Sequence, residues 1–454
     1  MSAFPSRSLR AITILCLGIT LALPLAGRAA AAPVAVGYRD FGYSASGVSA
    51  PTGEKPQSKL WYADGSWWGA LFSTASDAYN IYRLNSSTQT WADTGVVIDS
   101  RNAVRLDALW DGTRLYVATA GKTAGSSDNA QLHRFSYNPA TDTYTRDAGF
   151  PVQIVSGGME AGVIAKDTAG VLWFTYTRDS SVWVARTSGS DTTWLAPYAI
   201  PLDGAGDLTS DDESTVVSFG GKIGVMWSNQ NDWAMYFAIH ADGAPDSAWT
   251  RTTAVSGNEM SDDHMNVKAD SSGHVYAATK TSLNGTSDPL IVVTKFDGTS
   301  WSAPVTFGTV GNNHTRPSLL IDEQNRQLYV FAAQPCCSGG VIYMKKTSLD
   351  NISFASGLGT PFIQSSQDTT INNISTTKQA VNGTTGLVGI AGDDHTKFYL
   401  HNALTLPGGT PDTTPPETTI TSAPSGDTTS TTASISFASS EAGSTFACSL
   451  DGAA

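Results

Sequence analysis

The stretch Lys59-Leu60-Trp61-Tyr62-Ala63-Asp64-Gly65-Ser66-Trp67-Trp68-Gly69-Ala70-Leu71-Phe72 decides how this chain folds. A short alternating run meets a tight Asp-Gly turn and leaves it as a strongly apolar run, the pattern of a hairpin whose second strand is buried on both faces. The pattern recurs at six further turns: Asp111-Gly112, Asp167-Thr168, Gly220-Gly221, Asp270-Ser271, Asp322-Glu323 and Asn382-Gly383. Each is followed by a run such as Leu115 to Ala118, Ile223 to Trp227 or Leu328 to Ala332. The steps between turns are 47 to 60 residues. Hairpin repeats of about 50 residues indicate a propeller of four-stranded blades.

A second marker travels with the turns. Trp91, Tyr144, Trp194, Trp249, Trp301 and Phe354 follow their turns by 27 to 33 residues, several behind small polar clusters. This reads as a polar turn feeding an outer strand whose aromatic wedges between blades. The fold expected is all-β: a seven-bladed β-propeller over residues 33–406, closed by pairing a strand near Val36 to Tyr43 with the last blade. Ring closure removes exposed sheet edges.

With these repeats the chain resembles the bacterial-neuraminidase-repeat (sialidase-like) propellers, an architecture shared by sialidases, several polysaccharide lyases and many non-catalytic secreted proteins. The family's Asp box, Ser-x-Asp-x-Gly-x-x-Trp, stands in degenerate form from Ser348 to Phe354, with Gly missing and a Phe in place of Trp. The resemblance implies the architecture and names no substrate. A sialidase would need three arginines around its substrate carboxylate. Only Arg105 and Arg316 fall in register, so that activity is not expected.

The flanks set the compartment. Arg7 and Arg10 precede an apolar run from Ala11 to Leu25, and Ala29 to Ala32 supply a cleavage site before Pro33. Residues 1–32 therefore read as a secretory signal peptide, and the product as secreted or cell-wall associated. A formal net charge of −13 makes nucleic acid and anionic membranes poor partners. No other run is long and apolar enough to span a bilayer, and a monomer is expected. Adjacent Cys336 and Cys337 read as two separate thiols in preference to a strained ring. Residues 407–416 are a Pro, Thr and Gly-rich linker. Residues 417–454, with Ser439 to Gly452, resemble the start of a bacterial immunoglobulin-like β-sandwich, present here only in part.

Chemistry is expected where the innermost strands meet the central channel. Six places before each turn stand Ser58, Arg105, Ala161, Ser214, His264, Arg316 and Thr376. Beside them stand Gln57, Lys59, Asp107, Glu160, Glu213, Asp263, Asn266 and Lys378. Polar and ionisable types gather where a buried strand prefers apolar ones. Ser261 to Asn266 and Asn312 to Pro317 place His264 and His314 one blade step apart. They read as an acid-base pair, with Arg105, Arg316 and Asn266 neutralising a carboxylate and Lys59 and Lys378 adding to the grip. Asp107, Glu160 and Asp263 complete the candidate ring. The structural alternative is that these side chains satisfy loop amides and ordered water.

The leading functional expectation is a glycan-active protein, acting as a polysaccharide lyase by β-elimination on a uronate-containing polysaccharide. The alternative is a non-catalytic carbohydrate-binding or adhesion scaffold. Glu160 with Asp211, Asp212 and Glu213 offers a competing glycoside hydrolase chemistry, though acidic loop runs also serve as turn residues or Ca2+ ligands. No zinc or phosphate-loop motif occurs, and no cofactor or metal other than Ca2+ is expected. Asp393-Asp394-His395 reads as a loop, and Trp227 to Trp233 as either a sugar platform or a packed loop.

Overall fold

The computed structural model describes residues 32–123, 126–408, 417–427, 429 and 431–439. The expected signal peptide up to residue 31, residues 409–416 of the expected linker and residues 440–454 lie outside them. Seven antiparallel sheets form a seven-bladed propeller. The innermost strands are Leu60–Ala63, Val104–Trp110, Gly162–Lys166, Ser214–Phe219, Met265–Ala269, Thr315–Asp322 and Ile371–Ser375, one for each of blades 1 to 7 in chain order. Each of the seven turns follows its innermost strand and leads into the apolar second strand, as the pattern required. The inner ring shuts where Leu60 bridges Thr377.

Blade 7 takes its outer strand from the other end of the chain. Tyr38–Gly42 pairs antiparallel with Phe398–Leu404, with Tyr38 opposite His401 and Arg39 opposite Leu400. Buried polar groups lock this closure. His401 Nδ1 meets Asp40 Oδ1 at 2.8 Å, and its Nε2 meets Gln89 Oε1 of blade 1 at 3.0 Å. Arg39 pairs with Asp368 at 2.9 Å, and the Tyr43 hydroxyl donates to Asp393 O at 2.7 Å.

The outer aromatics wedge against the preceding blade. Tyr144 of blade 2 accepts a 2.7 Å hydrogen bond from Trp61 Nε1 of blade 1 and lies edge-on to Trp68. Trp249 of blade 4 meets Trp173 of blade 3, Trp301 of blade 5 meets Phe237 of blade 4, and Phe354 meets Phe307 of blade 5. Trp91 of blade 1 packs on His401. Each such pair adds about 1 kcal/mol beyond its buried area. Trp227 is fully buried with Nε1 bonded to Gly204 O, and Asn229 and Gln230 are tied to the loop before them. Trp227 to Asn229 thus end a buried strand, and the turn after them leaves Asn231 and Asp232 exposed.

After the buried Leu406, the described C-terminal residues form one hairpin, Thr418–Ser422 with Ser436–Ser439. Among the described residues no helix is long and apolar enough to cross a membrane.

Removing one partner of the closure leaves the other buried without compensation. Asp40→Ala is expected to cost about 3 kcal/mol in urea unfolding; a loss below about 0.5 kcal/mol would show that the latch contributes little.

Candidate functional site

A segment that belongs to no blade determines what the channel can do. Residues 51–59 precede the first strand, and every one of them is buried. They run through the channel and bond to the inner strands around it. Ser58 N donates to Asp107 Oδ1 of blade 2 at 2.8 Å, and Gln57 Nε2 donates to Gly162 O of blade 3 at 2.9 Å. Asn266 Nδ2 of blade 5 donates to Lys55 O at 2.9 Å, and Lys59 N donates to Ser375 Oγ of blade 7 at 2.9 Å. The propeller is plugged by its own N-terminal segment.

The plug carries charge into one end of the channel, where the inner strands start. Lys55 Nζ lies 2.7 Å from Asp263, 3.0 Å from Glu54 and 3.2 Å from Glu213. Burial opposes the Lys55 charge, but those three carboxyls hold its pKa well above the ordinary lysine value. Burial also pushes the Glu213 carboxyl well above the carboxylate range, against the pull of Lys55. Glu54 goes the other way: burial works to raise it, but Lys55 and Arg105 outweigh burial and hold it at about 2. Arg105 reaches Glu54 at 2.5 Å and donates to Glu160 O at 3.0 Å.

His264 stands at the start of blade 5 beside this cluster. Its Nδ1 faces Asp262 Oδ1 at 2.6 Å and also Asp263 Oδ1, while Lys280 pairs with the other oxygen of Asp262. The opposite ring nitrogen, Nε2, is buried and has no hydrogen-bond partner. Further orphaned polar atoms sit on the plug and on the first residues of the inner strands: Thr52 Oγ1, Arg105 Nε, Glu213 Oε2, Thr315 Oγ1 and Arg316 Nε. Several buried polar atoms at this mouth therefore have hydrogen-bonding capacity that no protein group takes up. The Glu160 side chain is 39% exposed, and burial is the main cause that raises its carboxyl above the ordinary value. Glu54, Glu160 and Glu213 each place a carboxylate oxygen within 4.8 Å of the others. Lys55 pairs with two of these three, Glu54 and Glu213.

Of the ten residues expected at the site, the mouth gathers five: Arg105, Glu160, Asp263, His264 and Arg316. Arg316 begins blade 6 in the left-handed region, at φ 53°, and donates to Cys337 O at 3.2 Å. The other five have different roles. Asp107 is fully buried, accepting from Ser58 N, Ile164 N and Lys378 Nζ. Asn266 spends its amide on Lys55 O and Leu319 N, so it cannot neutralise a substrate carboxylate. Lys59 is the last residue of the plug and fully buried, donating to Gln57 Oε1 and Leu106 O. Lys378 reaches Asp107 and Ile164 O deeper in the channel.

His314 is not paired with His264. It is fully buried against Phe307 and Tyr343, its Nε2 bonded to Leu358 O at 3.1 Å. Burial and Lys345 push its pKa down to about 4. Gly308 makes the pocket: a Cβ there would overlap the ring. An imidazole held neutral between two blades is a core residue.

Four features at the mouth escaped the sequence reading. Glu54 and Lys55 lie before the first repeat, where register gives no position. Asp394 follows the second strand of blade 7; burial raises its carboxyl, with Lys397 and Arg316 acting against that rise. Cys336 and Cys337 are joined as a disulfide, contrary to the expectation of separate thiols, in a turn tied by Cys336 N to Asn313 O at 2.7 Å and by Gly339 N to Pro335 O at 2.9 Å. Asp211 and Asp212 stay in the loop, where Asp212 caps Thr209 N at 2.8 Å.

No protein-family model matches the chain, and no curated sequence matches it. Solved structures do resemble it in fold. An ulvan lyase of polysaccharide lyase family PL25 aligns over 82% of this chain and 96% of its own, with a TM-score of 0.53 and 11% identity. The polysaccharide lyase Uly1 aligns over 83% and 94%, with a TM-score of 0.47 and 8% identity. The periplasmic gluconolactonase PpgL of Pseudomonas aeruginosa aligns over 78% and 96%, with a TM-score of 0.45 and 13% identity.

The low Glu54 pKa makes the plug pH-sensitive. Its folded value of about 2 lies below the ordinary 4.5, so its stabilisation is complete above pH 4.5 and is lost as pH falls towards 2. Glu54→Gln is expected to unfold about 3 kcal/mol more easily at pH 7, with the gap closing by pH 2 to 3 in acid-titrated unfolding. A gap independent of pH would assign the loss to packing.

Proposed function

We propose that this chain is a glycan-active propeller whose plugged channel mouth binds a uronate-containing polysaccharide and cleaves it by β-elimination. The observation that carries the reading is His264, its Nδ1 held by Asp262 and Asp263 and its Nε2 unpartnered at the mouth. A carboxylate on one imidazole nitrogen fixes the tautomer that leaves the other free to accept a proton. The likeness to the solved ulvan lyase carries the fold alone; the chemistry is argued from the mouth.

The step balances on residues present. His264 Nε2, closed from solvent in the ligand-free chain, takes the proton on the carbon next to the uronate carboxylate once the bound sugar displaces its cover. The electron pair of that C–H bond forms the new carbon–carbon double bond, and the bond to the glycosidic oxygen on the neighbouring ring carbon breaks. Glu160, partly exposed and with a raised carboxyl, gives its proton to the departing oxygen. Arg316 and the unpaired Nε of Arg105 stabilise the negative charge that builds on the uronate.

A second reading rests on the same raised Glu160. It is the protonation state a glycoside hydrolase needs in its acid, with a neighbouring carboxylate such as Asp263, held below its ordinary value, as base.

Ultraviolet absorbance of uronate polysaccharides incubated with the purified chain separates these readings. A lyase yields an unsaturated-uronate signal that His264→Ala reduces at least about 100-fold and Glu160→Gln also reduces, while His314→Ala leaves it unchanged in a folded protein. Reducing ends without absorbance would favour hydrolysis. Flat traces with every polymer, with glycan binding retained, would replace both with a carbohydrate-binding scaffold.

A further inference from the structure

The far end of the channel, where the inner strands finish, has the opposite character from the mouth. A cavity of about 140 Å3 opens there, lined by the last residues of the inner strands of blades 2 to 5, by Pro56 at the base of the plug and by Lys378. Its charged lining residues are Lys166, Lys268 and Lys378, and no carboxylate lines it. Two of the lysines have acidic partners behind the wall: Lys166 pairs with Asp111 and Lys378 with Asp107, each at 2.6 Å. Lys268 has none. Its Nζ donates to Thr377 O at 2.7 Å and Ser58 Oγ at 3.3 Å, both neutral oxygens, and the residue is 5% exposed.

We infer that this cavity is a binding site for a tetrahedral oxyanion, sulfate or phosphate, held between Lys268 and Lys378. A buried ammonium without a counter-charge is costly, and an anion drawn into the cavity removes that cost while completing the ammonium's hydrogen bonds. Burial and the neighbouring Lys378 push the Lys268 pKa down to about 7 against the pull of Asp107, so part of Lys268 is neutral near pH 7 and an anion seated beside it draws a proton onto it. The wall is preorganised: Ser58 belongs to the plug, and Thr377 bounds the closing bridge between blades 7 and 1. The site is independent of His264 and of any turnover at the mouth.

Titration calorimetry and thermal unfolding of the full chain with sodium sulfate, ionic strength held constant with sodium chloride, test it. The wild-type chain is expected to give saturable heat and a rising melting temperature. Lys268→Met should melt at least as high as wild type without sulfate, because it replaces a buried amine that makes no ion pair, yet bind sulfate at least tenfold more weakly. Lys378→Met should also weaken binding, and the exposed Lys346→Met should not change it. A sulfated monosaccharide binding more tightly than inorganic sulfate would identify a glycan ester as the source of the anion; equal or weaker binding would identify the free ion. The inference is overturned if wild type shows no saturable response, or if Lys268→Met responds to sulfate as wild type does.

Discussion

The Lys55 ammonium, buried among Glu54, Glu213 and Asp263, is the interaction on which the rest of this structure depends. A seven-bladed ring leaves a hole along its axis, and a hole lined by strand backbones must be filled or wetted. This chain fills it with nine of its own residues before the first blade begins. Lys55 ties that filling to blades 4 and 5, while Ser58, Gln57 and Lys59 tie it to blades 2, 3 and 7. The plug thereby joins blades far apart in sequence, and its removal would leave several carboxyls buried together without a cation.

The two ends of the filled axis differ in charge. Carboxyls, cations and His264 mix where the inner strands start, whereas the cavity where they end is lined by lysines alone among charged residues. Carboxyls so close to one another cannot all ionise freely. Glu54 is held down by Lys55 and Arg105 and Asp263 by its hydrogen bond to His264 and by Lys55, while Glu213 and Glu160 are pushed up by burial. Neighbouring groups with pKa values driven apart are the condition for acid and base chemistry at one pH. At the mouth this condition comes from a segment whose first task is structural.

The propeller was legible in the sequence because its signals are local. Asp64-Gly65, Asp111-Gly112 and Gly220-Gly221 hold their left-handed residues within the dipeptide, and the other four turns place theirs just after it at Gly170, Gly273, Arg326 and Gly386. Trp91, Tyr144 and Trp249 wedge between blades because the fourth strand returns at a fixed distance. The channel register was legible for Arg105, Glu160, Asp263, His264 and Arg316, since one count back from a turn reaches the start of a strand. It misled for His314. His314 stands eight places before its turn where His264 stands six, and Gly308 leaves the space that its imidazole fills between blades. Asn266, Asp107, Lys59 and Lys378 were found in the channel, but with their hydrogen bonds spent on the plug and its surroundings. Glu54 and Lys55 lie outside every repeat, so nothing periodic could place them.

Whether His264 faces a ligand is read most directly from its own ring nitrogens. In a histidine-selective nitrogen NMR spectrum titrated with a uronate oligosaccharide, the Nε2 signal of His264 should shift saturably, while those of His314 and His401, each already bonded elsewhere, stay in place. An unmoved His264 signal at saturating oligosaccharide would contradict a glycan site at the plugged mouth.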